Sequence, residues 1–289
     1  MKYQEIPKKT RNIQDYRLIA LGIKKSEGKP WTILSSEEVM QTLGLTVVQT
    51  TKLFTRLHSQ NRIQKLRNGL YIVPGAFPPL GKIWKPSPYE VLWAYMSWIG
   101  ATWQITGLAA FARYSFSTQV PQIITVCNDK LSGEMEIGGN AFIFIKLSTK
   151  KLGNVTIFPM IGGFDLPFSS KSRTVFDAVY FANRFGTLPL AYTWIASIAN
   201  NKTDLDELLT CCVLYGNKQT TARIGFFLEK LNKDTSILNV NKKIKTDTLI
   251  PLVPGYRSGA INHHWGIIEN ESIVKILSSM EIPDEDDAA

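Results

Sequence analysis

Cysteine and histidine are both scarce in this sequence, with three of each in 289 residues. Two cysteines are adjacent, at Cys211 and Cys212, so the set has neither a disulfide framework nor a metal-ligand spacing. Such usage is typical of a protein in a reducing cytosol. His263 and His264 are also adjacent, and on a strand they would point to opposite faces. The sequence therefore predicts no disulfide, no metal centre and no cofactor.

Motifs of catalysis and nucleotide binding are absent as well. The sequence contains no Gly-x-x-x-x-Gly-Lys-Ser/Thr phosphate loop and no Gly-x-Ser-x-Gly nucleophile elbow. A metal-dependent nuclease needs clustered carboxylates, and Asp129, Glu134 and Glu136 could supply them, although a solvated loop is the simpler interpretation. We therefore predict a protein without enzymatic activity and keep a nucleic-acid-processing enzyme as the alternative.

Long uncharged apolar segments are limited to residues 91–112, a length that could cross a bilayer. Polar residues such as Gln104 lie within this segment, and Gly100 and Gly107 interrupt it. The pattern favours two buried helices with a turn near Gly100. The first residues lack the apolar core of a secretory signal, so we expect a cytoplasmic protein with no membrane partner.

Charge is distributed unevenly along the chain. The net charge is +9, and residues 1–85 hold 15 Lys and Arg against 5 Asp and Glu, which is a net +10. The remaining 204 residues hold 18 against 19, a net −1. A basic segment joined to a neutral one favours a polyanionic partner for the basic segment.

The first helices are predicted from periodicity and capping residues. Residues 13–25 have apolar residues at helical spacing, and Trp31 with Ile33 indicates a short strand. Ser35 with Glu38 is typical of a capping box that begins a helix, which Gly44 can end. Thr46 with Gln49 is a second capping box, and it begins a third helix.

A β-hairpin is predicted over residues 62–75. Polar and apolar residues alternate up to Arg67, and the chain restarts at once after Asn68-Gly69. Asn-Gly is a strong hairpin signal because both residues accept positive φ. A hairpin alone is marginally stable in water, so we expect it to pack against the preceding helices.

The resulting order is helix, strand, helix, tight turn, helix and hairpin, which is the order of a winged helix-turn-helix. The third helix would be the recognition helix, with Thr46, Gln49 and Thr50 reading bases. The basic hairpin would clamp the phosphate backbone. About five neutralised phosphates would give log K a slope of about −4 to −5 per decade of salt. The predicted DNA contacts are Thr46, Val47, Gln49, Thr50, Thr51, Lys52, Thr55, Arg56, Arg62, Lys65, Arg67 and Asn68. A winged helix can also be a protein-interaction module without DNA binding, and this alternative stays open.

Residues 74–88 are rich in proline and glycine and indicate a linker. We therefore predict an α+β protein with a winged helix-turn-helix domain at 1–80 and a larger mixed α/β domain at 81–289. In the second domain we predict three strands and then four helices, with Asp177 paired to Arg173. The predicted strands are 122–127, 141–147 and 155–161, with a loop between the first two, and the predicted helices are 172–185, 188–200, 204–216 and 220–232. The tail at 283–289 is acidic and is expected to fray.

Several stretches, in this order and spacing, resemble the AbiEi family of antitoxins from type IV toxin–antitoxin and abortive-infection systems. They are the basic segment ending in "RNGLYIVPG", "WQITGLAAFARYSFSTQVPQIITV", "SRTVFDAVY", "GNKQTTARIGFFLEKLN", and "LIPLVPG" with the later "HHWGIIEN". Together they cover roughly residues 15–272. The chain has Arg-Tyr-Ser-Phe at 113–116, where the family often has His-Gly-Leu.

The resemblance implies two roles. The N-terminal winged helix would bind inverted repeats in its own promoter, as a dimer on double-stranded DNA, and repress its operon. The C-terminal domain would counter a cognate nucleotidyltransferase-like toxin, directly or indirectly. The family supplies no catalytic residues to carry over.

Overall fold

The structure is a computed structural model that describes residues 13–77, 84–239, 249–255 and 257–278. It is a mixed fold of helices and several sheets, which agrees with the α+β class. The predicted acidic tail, the initial segment and the centre of the predicted linker lie outside the described residues. Among the described residues, no helix combines the length and the apolar character needed to cross a membrane.

The chain divides into two compact units that alternate along the sequence. The first unit comprises residues 1–102, 132–144 and 158–166, and the second comprises 103–131, 145–157 and 167–289. The first unit thus contains the whole predicted domain of residues 1–80 together with later segments. A compact unit need not fold on its own, so the predicted domain boundary at residue 80 stays a prediction.

The first unit begins with the predicted succession of helices and strands. Strand β1 pairs antiparallel with β3, and β3 pairs antiparallel with β2, so the sheet order is β1-β3-β2. Its core contains buried residues from the first three helices, from β1 and from β3. The elements are α1 (Ile13–Ser26), β1 (Trp31–Ser35), α2 (Ser36–Leu43), α3 (Val47–Ser59), β2 (Gln64–Arg67), β3 (Leu70–Pro74) and α4 (Pro88–Trp98). The predicted order of elements is confirmed, and its assignment to the winged helix-turn-helix class stays a prediction.

The two predicted capping boxes differ in the structure. Thr46 and Gln49 form the complete reciprocal box at the start of α3. Ser35 accepts the backbone N–H of Glu38, but the Glu38 carboxylate accepts from Lys25 Nζ at 2.6 Å and 2.7 Å. The Glu38 side chain therefore forms an ion pair with Lys25 instead of accepting the backbone N–H of Ser35, since a carboxylate gains more from a cation than from a neutral N–H. Gly44 ends α2 in the left-handed conformation, as predicted.

A second hairpin belongs to the first unit. The prediction of a loop around residues 131–140 is wrong, because β6 (Gly133–Ile137) pairs antiparallel with β7 (Asn140–Lys146). The sequence does not indicate this strand, because Glu134 and Glu136 lower its hydrophobicity. Both residues lie on the exposed face of the strand, where charge is tolerated. Gly138, at positive φ in the turn, donates its N–H to Leu66 O at 3.4 Å. The turn therefore covers part of the free edge of β2.

The expectation of two helices over residues 91–112 is only partly correct. After α4 the chain forms β4 (Trp103–Thr106), and only then the short helix α5 (Leu108–Arg113). The run Trp-Gln-Ile-Thr has the aromatic and β-branched residues that suit a strand. The later strands are β5 (Ile124–Asn128), β8 (Val155–Met160) and β9 (Phe164–Ser169), and β9 was not predicted. Within the second unit β4 pairs antiparallel with β5, and Ile105 of β4 pairs in parallel with Phe168 of β9.

Helices fill most of the rest of the second unit, and the four predicted helical regions are confirmed, with the first divided into two helices. Together they enclose a large apolar core. The helices are α6 (Lys171–Tyr180), α7 (Ala182–Phe185), α8 (Leu190–Ile198), α9 (Lys202–Tyr215) and α10 (Lys218–Lys230), followed by β10 (Ile250–Pro251), β11 (Ala260–Asn262), β12 (Ile267–Glu269) and α11 (Ile273–Ser278). The last four elements are too short for periodicity to reveal.

A buried ion pair lies in the second unit, as predicted for Arg173 and Asp177. Arg173 Nε donates to Asp177 Oδ1 at 2.7 Å, and both side chains are almost fully buried. The other carboxylate oxygen accepts from Thr106 Oγ1 at 2.7 Å and Ser169 Oγ at 2.9 Å. The guanidinium lies 4.1 Å from the ring centre of Tyr215. Burial alone would lower the pKa of Arg173, but the Asp177 carboxylate raises it, so Arg173 stays charged.

All three cysteines are buried free thiols, in agreement with the prediction for Cys211 and Cys212. Burial raises the pKa of Cys211 to about 12, and burial also raises the pKa of Cys127 and Cys212 well above the ordinary value. Because the thiolate is the reactive form, these groups are protected both by their protonation and by their inaccessibility.

We expect iodoacetamide to leave the thiols of the native protein unmodified at pH 8, and to modify all three after unfolding in urea. Mass spectrometry after timed quenching measures this. Above the ordinary thiol pKa of 9.0 the unfolded chain loses protons that the native chain retains. Unfolding is then favoured, so stability should fall as pH rises from about 9 towards 12. Rapid modification of a native thiol would contradict the buried placement.

Candidate nucleic-acid interface

The outer face of α3 carries both polar and apolar side chains, and none of them is negatively charged. Val47 and Val48 are 64% and 62% exposed, which is unusual for large apolar side chains at adjacent positions. Lys52 is exposed on the same helix and has no hydrogen bond or ion pair with the described part of the chain. Exposed positions of the predicted contact set in and beside this helix are Thr46, Val47, Gln49, Thr51, Lys52 and Thr55.

The opposite face of α3 is fixed in the core of the first unit. Leu53, Phe54 and Leu57 are at most 2% exposed. The ring of Phe54 stacks on that of Tyr71 in β3, with centroids 4.0 Å apart and an angle of 4° between the planes. This packing holds the helix against the sheet and fixes which of its residues reach solvent.

Thr50 is a correction to the predicted contact set. Its side chain is 1% exposed, so it cannot reach a base edge in this structure. It lies three, four and seven positions before Leu53, Phe54 and Leu57, which places it on the apolar stripe of the helix. A base-reading role for Thr50 is therefore dropped.

Arg56 is the second correction. Its Nε donates to both oxygens of Asp15 in α1, at 3.1 Å and 3.3 Å, and its Nη2 also donates to Oδ1. The Asp15 side chain is only 12% exposed, so this bidentate pair is partly desolvated. Arg56 therefore connects α3 to α1, and its charge is already compensated within the protein.

Gln49 keeps its exposed position, but its side-chain oxygen is in use. Oε1 accepts from the backbone N of Thr46 at 2.9 Å as part of the capping box. A bidentate contact with adenine needs both the oxygen and the nitrogen of the carboxamide. In this conformation Gln49 offers only the Nε2 donor to an external acceptor, unless the capping box opens.

The hairpin formed by β2 and β3 presents further basic residues. Arg67 Nη1 donates to Tyr95 Oη in α4 at 2.7 Å, and Tyr95 is itself 1% exposed. The hydrogen bond positions the guanidinium without cancelling its charge, since tyrosine is neutral. Arg62 and Lys65 are half-buried and make no ion pair within the described residues. The turn residues Asn68 and Gly69 are exposed, with Gly69 at a φ of +75°.

One sequence signal escaped the prediction, and it lies on this surface. No Asp or Glu occurs between Glu38 and Glu90, so α3, the hairpin and their connections contain only basic charges. A carboxylate from another segment does reach the hairpin, because Glu136 of β6 lines the same depression as Lys65 and Arg67. The surface is therefore basic overall with one acidic border.

No family model matches this chain, and no curated protein matches it. Two of the residues that carry the family resemblance, Trp265 and Asn270, have structural roles in the second unit. Trp265 is 3% exposed and lies against Gly225, where a Cβ would come within 2.2 Å of its ring. Asn270 exchanges hydrogen bonds with the backbone of Val253 at 3.1 Å and 3.0 Å. The resemblance stays a prediction that rests on the sequence alone.

The carboxylates of the nuclease alternative lie on different elements. Glu134 and Glu136 lie on the same, exposed face of β6, whereas Asp129 follows β5. Within the described residues no group of three or more His, Cys, Asp or Glu side chains is placed to hold a metal ion. The structure therefore adds no positive support to that alternative.

Proposed function

We propose that this protein is a DNA-binding antitoxin that represses its own operon through the region formed by α1, α2, α3 and the β2–β3 hairpin. We interpret this region as a winged helix-turn-helix, with α3 as recognition helix and the hairpin as wing. The support is the element order, the sheet order β1-β3-β2 and the core that holds α3 against the sheet.

The observation that carries the proposal is the outer face of α3. Two exposed valines, several hydroxyls and a lysine that has no partner among the described residues share a surface without a carboxylate on its own segment. Valine methyl groups suit the C5-methyl of thymine, while threonine and glutamine suit base-edge donors and acceptors. Lys52, Arg62, Lys65 and Arg67 would contact phosphates and position the helix without specifying sequence.

The antitoxin part of the proposal rests on the family resemblance. The second unit would counter a nucleotidyltransferase-like toxin, and two copies would bind an inverted repeat. Coexpression of the full-length chain with the neighbouring gene product, from a promoter that the protein does not control and scored by growth, tests this part separately from operator binding. Absence of growth protection by the full-length chain would contradict it.

Gln49→Ala should weaken binding to the protein's own upstream DNA by about five- to tenfold more than binding to random duplex, because a bidentate base contact, made when the capping box opens on DNA, is worth about 1–3 kcal/mol. Lys65→Ala should weaken both by the same factor, since it removes a phosphate contact. Fluorescence anisotropy on the full chain, with both duplexes at one salt concentration, measures the two ratios.

Thermal unfolding of each variant serves as the control, because Gln49 also completes the cap of α3. Equal losses on both duplexes would refute a reading role for Gln49. Absence of duplex binding by the wild type, together with capture of a partner protein through Val47 and Val48, would favour the protein-interaction alternative.

A further inference from the structure

A groove crosses the second unit beside the end of α6, the helix α7, the start of α10 and the strand β10. Two depressions share Asn183, Gln219 and Arg223 in their lining, so they adjoin, and together they are called the groove. The predicted contact set does not include any of these residues, and the proposed repressor role does not use them.

The charge of this groove is concentrated and one-sided. Arg184, Lys218, Arg223 and Arg257 line it, and the described lining contains no Asp or Glu. Residues 86–289 carry almost no net charge, with 18 basic against 19 acidic residues, so a described lining with four basic residues and no acidic one is a local enrichment. Such a channel concentrates anions.

Arg223 is held in place within the groove. Its Nε and Nη2 donate to Pro251 O at 3.2 Å and 3.1 Å. Its Nη1 has no acceptor within the described residues, so part of the guanidinium is available to a ligand. A fixed planar donor of this kind loses little entropy when it binds phosphate.

Aromatic rings lie among the cations. Tyr180 and Phe181 line the groove and are half-buried. Tyr180 stacks on Phe176 with centroids 5.4 Å apart, and it meets Phe181 edge to face at 4.8 Å. Asn183 and Gln219 add amide donors and acceptors between the rings and the cations. Cations, rings and amides in one channel are the combination that holds unstacked bases and their phosphates.

We infer that this groove binds a single-stranded nucleic-acid segment, with the phosphates on the four cations and bases against Tyr180 and Phe181. A duplex has its bases stacked internally and would leave the rings without partners. This assignment is independent of operator binding, which uses other residues and a double-stranded ligand.

The test is fluorescence anisotropy with the full-length protein and labelled 20-nucleotide probes, oligo(dT) and oligo(U), which separate DNA from RNA as the source. With four phosphates contacted, log K should fall by about 3 per decade of salt. The double variant Arg184→Glu with Arg257→Glu should bind at least tenfold more weakly, and its slope should fall to about −1.5. Tyr180→Leu should weaken binding about fivefold or more through lost stacking.

The matched control is Lys146→Glu with Lys202→Glu, which reverses two exposed lysines outside the groove and changes the net charge equally. It should bind the probes clearly better than the groove variant, while both variants bind operator duplex alike. Equal losses for the two double variants, no effect of Tyr180→Leu, or displacement of the probes by excess duplex would each overturn the assignment. The assignment would also be overturned if the wild type bound neither oligo(dT) nor oligo(U).

Discussion

Arg173→Met is expected to lower the free energy of unfolding by about 3–5 kcal/mol, because it leaves a buried carboxylate without its cation. Arg173 is 2% exposed and Asp177 is 0% exposed, so water cannot replace the lost partner. The methionine retains apolar volume against Tyr215, which limits the packing loss. Urea titration of the full chain, followed by circular dichroism, measures the change.

Two controls separate charge from packing. Lys275→Met removes the cation of another i, i+4 pair, with Glu271 at 3.2 Å, but here the lysine is 75% exposed and the glutamate 28%. Its loss should cost about 0.5 kcal/mol or less. Asp177→Asn added to Arg173→Met removes the unpaired charge and keeps a polar group for Thr106 and Ser169, so it should recover much of the stability. A double variant as unstable as the single one would contradict the electrostatic explanation.

Raising the salt concentration from about 0.1 M to about 0.4 M is expected to weaken duplex binding about 150-fold, if four phosphates are neutralised at about −0.9 per contact. The four cations are Lys52, Arg62, Lys65 and Arg67. Arg56 is left out because Asp15 already compensates its charge. The slope is therefore about −3.6, shallower than the sequence alone predicts.

Asp15→Asn provides a direct check on that count. If Arg56 is released, the slope should become steeper by about 0.9 and binding at low salt should tighten. Anisotropy titrations at four salt concentrations, with the native slope measured in parallel, give both numbers. A salt-independent affinity of the wild type would contradict binding through phosphate contacts altogether.

Local signals explain which elements could be predicted from the sequence. The start of α3 and the β2–β3 turn were identified correctly, because Thr46 with Gln49 and Asn68 with Gly69 act within a few residues. The strand β6 was missed because its hydrophobicity is low, and its pairing with β7 outweighs its polar composition. Capping and turn chemistry are local, whereas strand pairing depends on a partner that periodicity does not identify.

The corrections to the predicted DNA contacts also divide into one with a local cause and one with a distant cause. Helical periodicity alone places Thr50 on the buried side of α3, so that correction could have been made from the sequence. The pairing of Arg56 with Asp15 could not, because the two residues are 41 positions apart. The groove of the second unit has no motif, since its lining comes from three separated segments.

The interleaving of the two units has a consequence for synthesis of the chain on the ribosome. The first unit includes residues 158–166, so a nascent chain that ends earlier lacks part of it. The turn at Gly138, which covers the edge of β2, emerges about 70 residues after that strand has been made. Until then the edge of β2 is open to pairing with other chains. A premature stop well beyond residue 80 would therefore damage the first unit as well as delete the second.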